Sequence, residues 1–207
     1  MRIAIDTRLN SYRVGGIPEY TNQLLMGLAD LTANDVVIKI EHRKPALGSY
    51  VHGTARRRVW TPPHHRWEQT LLPWELRSLR ADVIHFPDFI PLLKLRAPTV
   101  ITVHDLAFVR FPEILDAAAR RYYGQIGRAV QRADAIIAVS QSTRRDLAEF
   151  LNVDPTRVDV VPEAAAAHFK PLDLPEHAER TINGHMLRRD TFALFVGPLE
   201  PRTNLPT

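Results

Sequence analysis

Short uninterrupted apolar runs recur along this chain, separated by longer stretches in which apolar positions return every three or four residues. Runs at residues 2–7, 36–41, 58–60, 83–86, 99–103, 135–139, 158–161 and 192–196 predict strands. Several, such as Ala135-Ile136-Ile137-Ala138-Val139, show no polar alternation, as expected of strands buried on both faces of a parallel sheet. Between the runs, Tyr20, Leu24, Leu25 and Leu28 share one helical face, and Tyr122, Ile126 and Val130 share another. A third helix over residues 144–151 follows Ser140, a good N-cap, and stops at Asn152 ahead of Asp154-Pro155. This alternation predicts an α/β fold, a mostly parallel sheet with helices on both faces and right-handed crossovers. Ligands of such folds sit outside the carboxyl ends of the strands, so the loops after Thr7, Phe86, Val103 and Val139 are the places to look for chemistry.

From Pro162 the character changes. A connecting segment leads to a polar stretch at 176–189 that reads as a short helix, and then to Phe192-Ala193-Leu194-Phe195-Val196, closed by Gly197-Pro198. That last run reads as a buried strand, and such a strand needs neighbours. Only residues 199–207 follow it, so the expectation is that more sheet belongs beyond this chain.

Composition narrows the class without naming it. A chain of 207 residues holds one domain with a substantial core and hardly two. The absence of cysteine excludes disulfide scaffolds, thiolate zinc sites and cysteine nucleophiles. Asp6 arrives too early for a secretory signal and no run of eighteen apolar residues occurs, so a soluble, cytoplasmic protein is expected. The formal net charge is +4, with basic clusters at His42-Arg43-Lys44, Arg56-Arg57-Arg58 and Arg120-Arg121. Such clusters can meet the phosphate of a nucleotide, an anionic lipid or a nucleic acid, although any single one is more readily a solvated face.

Four features could carry chemistry. Gly15-Gly16 lies between a strand and a helix, where unobstructed N–H groups and a helix N-terminus favour an anion; a tight turn explains the pair equally well. Neither G-x-G-x-x-G nor G-x-x-x-x-G-K-[ST] nor G-x-S-x-G occurs, which disfavours dinucleotide dehydrogenases, P-loop NTPases and the usual serine hydrolases. His104 stands where the strand 99–103 ends, so its ring can reach a cleft and polarise a hydroxyl, while Asp105 could orient that ring or accept from a substrate. His85 and Asp88 are the neighbours a metal would need, but a hydrogen-bonded loop histidine is the simpler account. Trp60, Trp67 and Trp74 are spaced by seven, with Pro62-Pro63 barring one helix through all three; Trp67, Leu71 and Trp74 can share a face if Pro73 kinks or restarts the helix. Packing on the sheet is the favoured reading for the tryptophans over an interfacial membrane contact, and His64-His65 reads as exposed loop.

Taken together these stations resemble a known family. Met1-Arg2-Ile3-Ala4-Ile5-Asp6 with Gly15-Gly16-Ile17, Asp82-Val83-Ile84-His85-Phe86-Pro87, Val103-His104-Asp105-Leu106, the segment Arg132-Ala133-Asp134-Ala135-Ile136-Ile137-Ala138-Val139-Ser140 and Val160-Val161-Pro162 are similar to the N-terminal half of family 4 glycosyltransferases. Residues 195–205 resemble the first strand and loop of their C-terminal half. The resemblance implies the GT-B arrangement, two facing Rossmann-like domains with the reaction between them. Residues 1–170 would be the acceptor-side domain, and 171–207 a linker with the start of the donor-binding domain. It implies that Gly15, Gly16 and Arg202 approach the donor diphosphate, that His104 is the catalytic-centre residue, and that Asp88 and Asp105 contact the acceptor or support the site. It further implies transfer with retention from a nucleotide-sugar to a glycan or lipid-linked acceptor, without a bound metal or other cofactor and without nucleic acid, in a cytoplasmic setting that allows peripheral contact with an inner membrane. Two departures stand out. Thr203 occupies the position where the family commonly has lysine, and the acidic Glu-x7-Glu region lies beyond the last residue. Low stand-alone activity is therefore expected. The competing reading is a non-catalytic remnant, or an acceptor- or small-molecule-binding Rossmann-like module.

Overall fold

The structure, a computed structural model, describes residues 1–31, 34–47, 55–166, 168–171, 173, 175, 178–188 and 190–197. The chain forms two compact units, residues 1–164 and 165–207. In the first, seven strands make one parallel sheet. They are β1 (Arg2–Asp6), β2 (Val36–His42), β3 (Ala55–Val59), β4 (Val83–Phe86), β5 (Thr99–Val103), β6 (Ala135–Ala138) and β7 (Val158–Val160). Their order across the sheet is β3-β2-β1-β4-β5-β6-β7, so the direction of travel reverses between β1 and β4. The fold is thus Rossmann-like α/β, as the apolar runs predict.

Alternation along the strands feeds two cores. Ile3, Ile5 and Val37 face α1 (Gly16–Leu31), packing on Leu24, Leu25 and Leu28. Ala4, Ile38, Ile40 and Ile84 face the other way, into the larger core with Leu72, Val130 and Leu147. Those three come from α2 (Glu68–Glu75), α5 (Ile126–Arg132) and α6 (Gln141–Leu151). The caps of α6 are as its sequence predicts: Ser140 Oγ accepts from the Thr143 N–H at 3.0 Å, and Asn152 ends the helix in the left-handed region at φ 52°.

Four expectations are corrected. The helix through Tyr122, Ile126 and Val130 is two helices, α4 (Ala117–Tyr123) and α5, though all three side chains are buried. Gly124 marks the break: a Cβ there would lie 2.8 Å from the Arg120 carbonyl oxygen. The third strand runs over Ala55–Val59 rather than 58–60, because pairing with β2 sets its register and not its own hydropathy. In the second unit, the polar stretch after Pro175 is a hairpin, β8 (Glu179–Ile182) and β9 (His185–Arg188), not a helix. Its turn is Asn183-Gly184, at φ 49° and 82°, the two-residue pattern that suits the strand twist. Finally, residues 192–196 are not a strand, and all five are exposed. Among the described residues of that unit the strands are β8 and β9, which pair with each other and not with 192–196.

Candidate active site

At the switch point between β1 and β4, chain segments diverge and leave room for side chains. Arg8 follows β1 and is 2% exposed. Its guanidinium spans two carboxylates, donating to Asp6 Oδ2 at 2.6 Å and to Glu68 Oε1 from α2. It also donates to the Thr61 and Pro62 carbonyls, each at 3.2 Å. Burial opposes the Arg8 charge, but Asp6 and Glu68 outweigh it and hold the guanidinium more firmly protonated than usual. Burial also pushes the Glu68 carboxyl up, with Arg8 pulling the other way. One cation is held by two carboxylates and every N–H of its fork is taken, which marks it as the strut that fixes α2 to the sheet.

Next to this strut, His64 Nε2 meets Asp88 Oδ2 at 2.5 Å and the His64 ring stacks on Tyr122 at 3.9 Å. His64 is therefore not the exposed loop residue expected. Asp88 Oδ1 is buried without a partner. His64 at φ 60° and Phe89 at φ 48° are both in the left-handed region, a costly conformation for bulky side chains that clusters at functional sites.

His104 leaves the end of β5 with its side chain 13% exposed. Nε2 lies 2.9 Å from the Pro87 carbonyl oxygen and Nδ1 lies 2.9 Å from Glu163 Oε1. A carbonyl only accepts, so Nε2 carries a hydrogen; the Glu163 contact then needs a second proton, on Nδ1 or on the carboxyl. The ring edge meets Tyr20 of α1 at 5.0 Å and Phe89 at 6.0 Å between centroids. Behind it runs a buried relay. The Tyr20 hydroxyl is 3.1 Å from Thr102 Oγ1, which is 2.8 Å from His85 Nε2. Burial, with His104 adding to it, lowers the His85 pKa to about 4, so this ring is neutral near pH 7. Burial raises the Tyr20 pKa, and Thr102 partly offsets that.

The structure brings the start of α1 and the loop after β4 up to His104. Tyr20 lies one turn past Gly16, linking the start of α1 to His104, and Pro87 and Phe89 flank Asp88 on the same histidine. A Cβ at Gly15 or Gly16 would meet nothing within 4 Å, so this loop is open to solvent. Asp105 does not orient the His104 ring. Its Oδ1 accepts from the Ala107 N–H at 3.0 Å, just ahead of α3 (Ala107–Arg110), and Glu163 takes the ring instead. Sequence reasoning missed Arg8, Glu68, His64 and Glu163, whose partners lie far along the chain. His85, with its ring on Thr102, and Asp88, with its carboxylate on His64, are both engaged away from His104. Among the described residues no group of three or more His, Asp or Glu side chains is arranged to hold a metal ion. Arg202 lies outside the described residues.

The three tryptophans do not pack on the sheet. Trp60, Trp67 and Trp74 are 66%, 51% and 65% exposed, and Leu71 on the same face of α2 is 49% exposed. Pro73 lies within α2 and does not end it. Arg43, Arg66 and Arg77 each lie over one of these indoles.

With this geometry in view, comparison with known proteins decides the family. The profile of Glycosyltransferase Family 4 matches residues 14–165. The chain belongs to that family. Among curated relatives, O-antigen chain mannosyltransferase B of Escherichia coli is 26% identical over 134 residues, covering 64% of this chain and 34% of that protein. The serotype-specific mannosyltransferase WbdA of Escherichia coli is 28% identical over 109 residues, 52% of this chain and 13% of its own length. This member of the family thus spans about a third or less of the length of these relatives. A solved glycosyltransferase from Rickettsia africae aligns over 82% of this chain and 46% of its own, with 13% identity and a TM-score of 0.49. No described helix is long and apolar enough to cross a membrane.

Proposed function

We propose that this family 4 chain supplies the acceptor-side wall of a glycosyltransferase that moves a sugar, with retention, from a nucleotide-sugar onto a polysaccharide or lipid-linked acceptor. The observation that carries this reading is the family match over residues 14–165, which spans all but the first strand of the parallel sheet. Two mannosyltransferases among its relatives favour mannose as the sugar. In this reading residues 1–170 form the acceptor-side domain and 171–207 begin the donor side, with Gly15, Gly16 and Arg202 facing the donor diphosphate. The cationic and N–H donors would offset charge growing on the leaving diphosphate, in place of a metal ion.

His104 would act at the reaction centre by exchanging one internal partner for a substrate hydroxyl. Glu163 is the exchangeable one, being 49% exposed, whereas Pro87 fixes the opposite nitrogen from the backbone. Asp88 would support the site through His64, and Asp105 through its hydrogen bond from the Ala107 N–H. The exposed tryptophan face with its arginines fits a peripheral contact with a membrane surface. The test is transfer of labelled mannose by this chain mixed with a separately supplied donor-binding domain. His104→Ala is expected to lower the rate by about 10²–10⁴-fold, and transfer at the wild-type rate would remove His104 from the centre. A second reading is favoured by the His104 ring itself, whose two nitrogens are already satisfied: a non-catalytic acceptor-binding module. No transfer by the wild-type pair, with acceptor binding retained, would establish that alternative.

A further inference from the structure

A second polar region lies away from His104, over the β2–β3 edge of the sheet on the side covered by α1. Here a cavity of about 340 Å³ is bounded by Asn22 and Leu25 of α1, by Asn10 and Ser11 after β1, and by residues 42–46 after β2. Among the described residues that line it are five cationic side chains, Lys39, Arg43, Lys44, Arg56 and Arg58, and one carboxylate, Glu41. Strand register explains the concentration. Lys39 stands beside Arg56 and Glu41 beside Arg58 in the parallel pairing, and residues two apart on a strand share a face.

Glu41 is committed to Arg58 at 3.0 Å, and no carboxylate among the described residues pairs with Arg56. Arg43 lies over Trp60 at 4.0 Å and Lys44 over Tyr12 at 5.1 Å, contacts that place the cations without neutralising them. Lys39 is 5% exposed, and burial pulls its pKa down, with Glu41 opposing and Arg56 adding to the fall. A pocket of one sign is a place where an anion relieves repulsion. A second, independent feature points to more than a bare anion. Asn10, 6% exposed, donates to Asn22 Oδ1 at 2.8 Å, while its own Oδ1 is buried without a partner. An amide oxygen only accepts, so it calls for a donor, which a phosphate dianion does not offer and a hydroxyl does.

We infer that this pocket binds a phosphorylated polyol, its phosphate against Arg56 and Arg58 and a hydroxyl donating to Asn10 Oδ1. Resting on the acceptor-side reading above, the occupant is a phosphate ester that anchors the acceptor, either a soluble sugar phosphate or a lipid headgroup. Arginine pairs bind phosphate through parallel N–H donors, and the adjoining Arg43 and Trp60 place the tryptophan face beside the same mouth.

The experiment is isothermal titration of the whole chain with mannose 1-phosphate, free mannose and inorganic phosphate, alongside sedimentation with phosphatidylglycerol or phosphatidylcholine vesicles. Mannose 1-phosphate should bind and free mannose should not at tenfold higher concentration. Arg56→Ser with Arg58→Ser should weaken the ester about tenfold or more, and Arg43→Gln, in a loop outside the sheet, should act in the same direction. Asn10→Ala should weaken the ester severalfold while leaving inorganic phosphate unchanged. Retention on phosphatidylglycerol vesicles that is lost in the double variant supports the headgroup as source; binding of the soluble ester alone supports a free sugar phosphate. Ester binding that is absent, equal to free mannose, or unchanged in the double variant overturns the site. Because binding is read without donor or transfer, an inactive reconstituted pair would sink the glycosyltransferase reading and leave this result standing, and the reverse also holds.

Discussion

Two charged regions of the sheet face the same solvent from opposite situations. At the β1–β4 switch point, Arg8 is buried between Asp6 and Glu68, with its remaining donors on carbonyl oxygens. Over β2–β3, Arg56 and Arg58 are exposed, and among the described lining residues Glu41 is the one carboxylate beside five cationic side chains. The first arrangement is complete, so its charges do structural work and have nothing left for a ligand. The second has cationic groups in excess, and the proposed occupant would supply the anion. Charge density alone would have ranked the two alike; the state of compensation separates them.

The sharpest way to break this contrast is to remove a charge from the complete set. Arg8→Met leaves Asp6 and Glu68 as buried carboxylates without a cation, and should lower the unfolding free energy by about 3–5 kcal/mol in urea titration. A loss below about 1 kcal/mol would mean the strut is ornamental. A smaller effect should come from the neutral histidine behind His104. The His85 pKa is about 4 in the fold against 6.5 ordinarily. Its neutral ring therefore costs nothing above pH 6.5, and stability is lost as the unfolded chain alone takes up a proton between pH 6.5 and 4. His85→Gln should flatten the fall in stability over that window by roughly 3 kcal/mol at most. An unchanged pH profile would show that the buried ring takes up its proton as easily as the unfolded one.

The smallest expected effects lie in the cation-rich set, and their smallness is the point. Arg56→Ser should leave unliganded stability within about 0.5 kcal/mol of wild type, or raise it, because like charge is removed from an exposed face. Glu41→Gln should tighten mannose 1-phosphate binding a few-fold by releasing Arg58, measured by the same titration. A large loss of stability in either variant would make the basic pocket a second strut rather than a binding site.

Most of the fold was legible because its strands are buried. Residues 83–86 and 99–103 announce themselves by uncharged runs rich in valine and isoleucine, and pairing merely places them. The edge strand β3 was legible only in part, since Arg56-Arg57-Arg58 carries no apolar period and its extent is set by β2. The hairpin of the second unit was readable and overlooked: Asn183-Gly184 is a strong local signal, outweighed by the polar composition around it. The site divides similarly. His104, Gly15, Gly16 and Asp88 were accessible because they sit at the carboxyl ends of strands or at a helix start. Glu68 for Arg8, Asp88 for His64 and Glu163 for His104 were not, because those pairings span 60, 24 and 59 residues of sequence. Exposure of the tryptophans was hidden for a different reason. Spacing says which side chains share a face, and only tertiary packing says whether that face is covered.

The arginine-rich edge strand has one further effect. A parallel sheet ends in unpaired N–H and C=O groups, an open template for another extended chain. At one margin that template carries Arg56, Arg57 and Arg58 in succession; at the other, β7 is three residues long, with Asp159 at its middle, and is followed within two residues by Pro162. A strand arriving from a second molecule would meet repulsion at one side and a truncated ladder at the other. The basic stretch thus guards solubility, which is why serine serves in the binding test and valine would not: Arg57→Val should turn this margin into a nucleus for self-association.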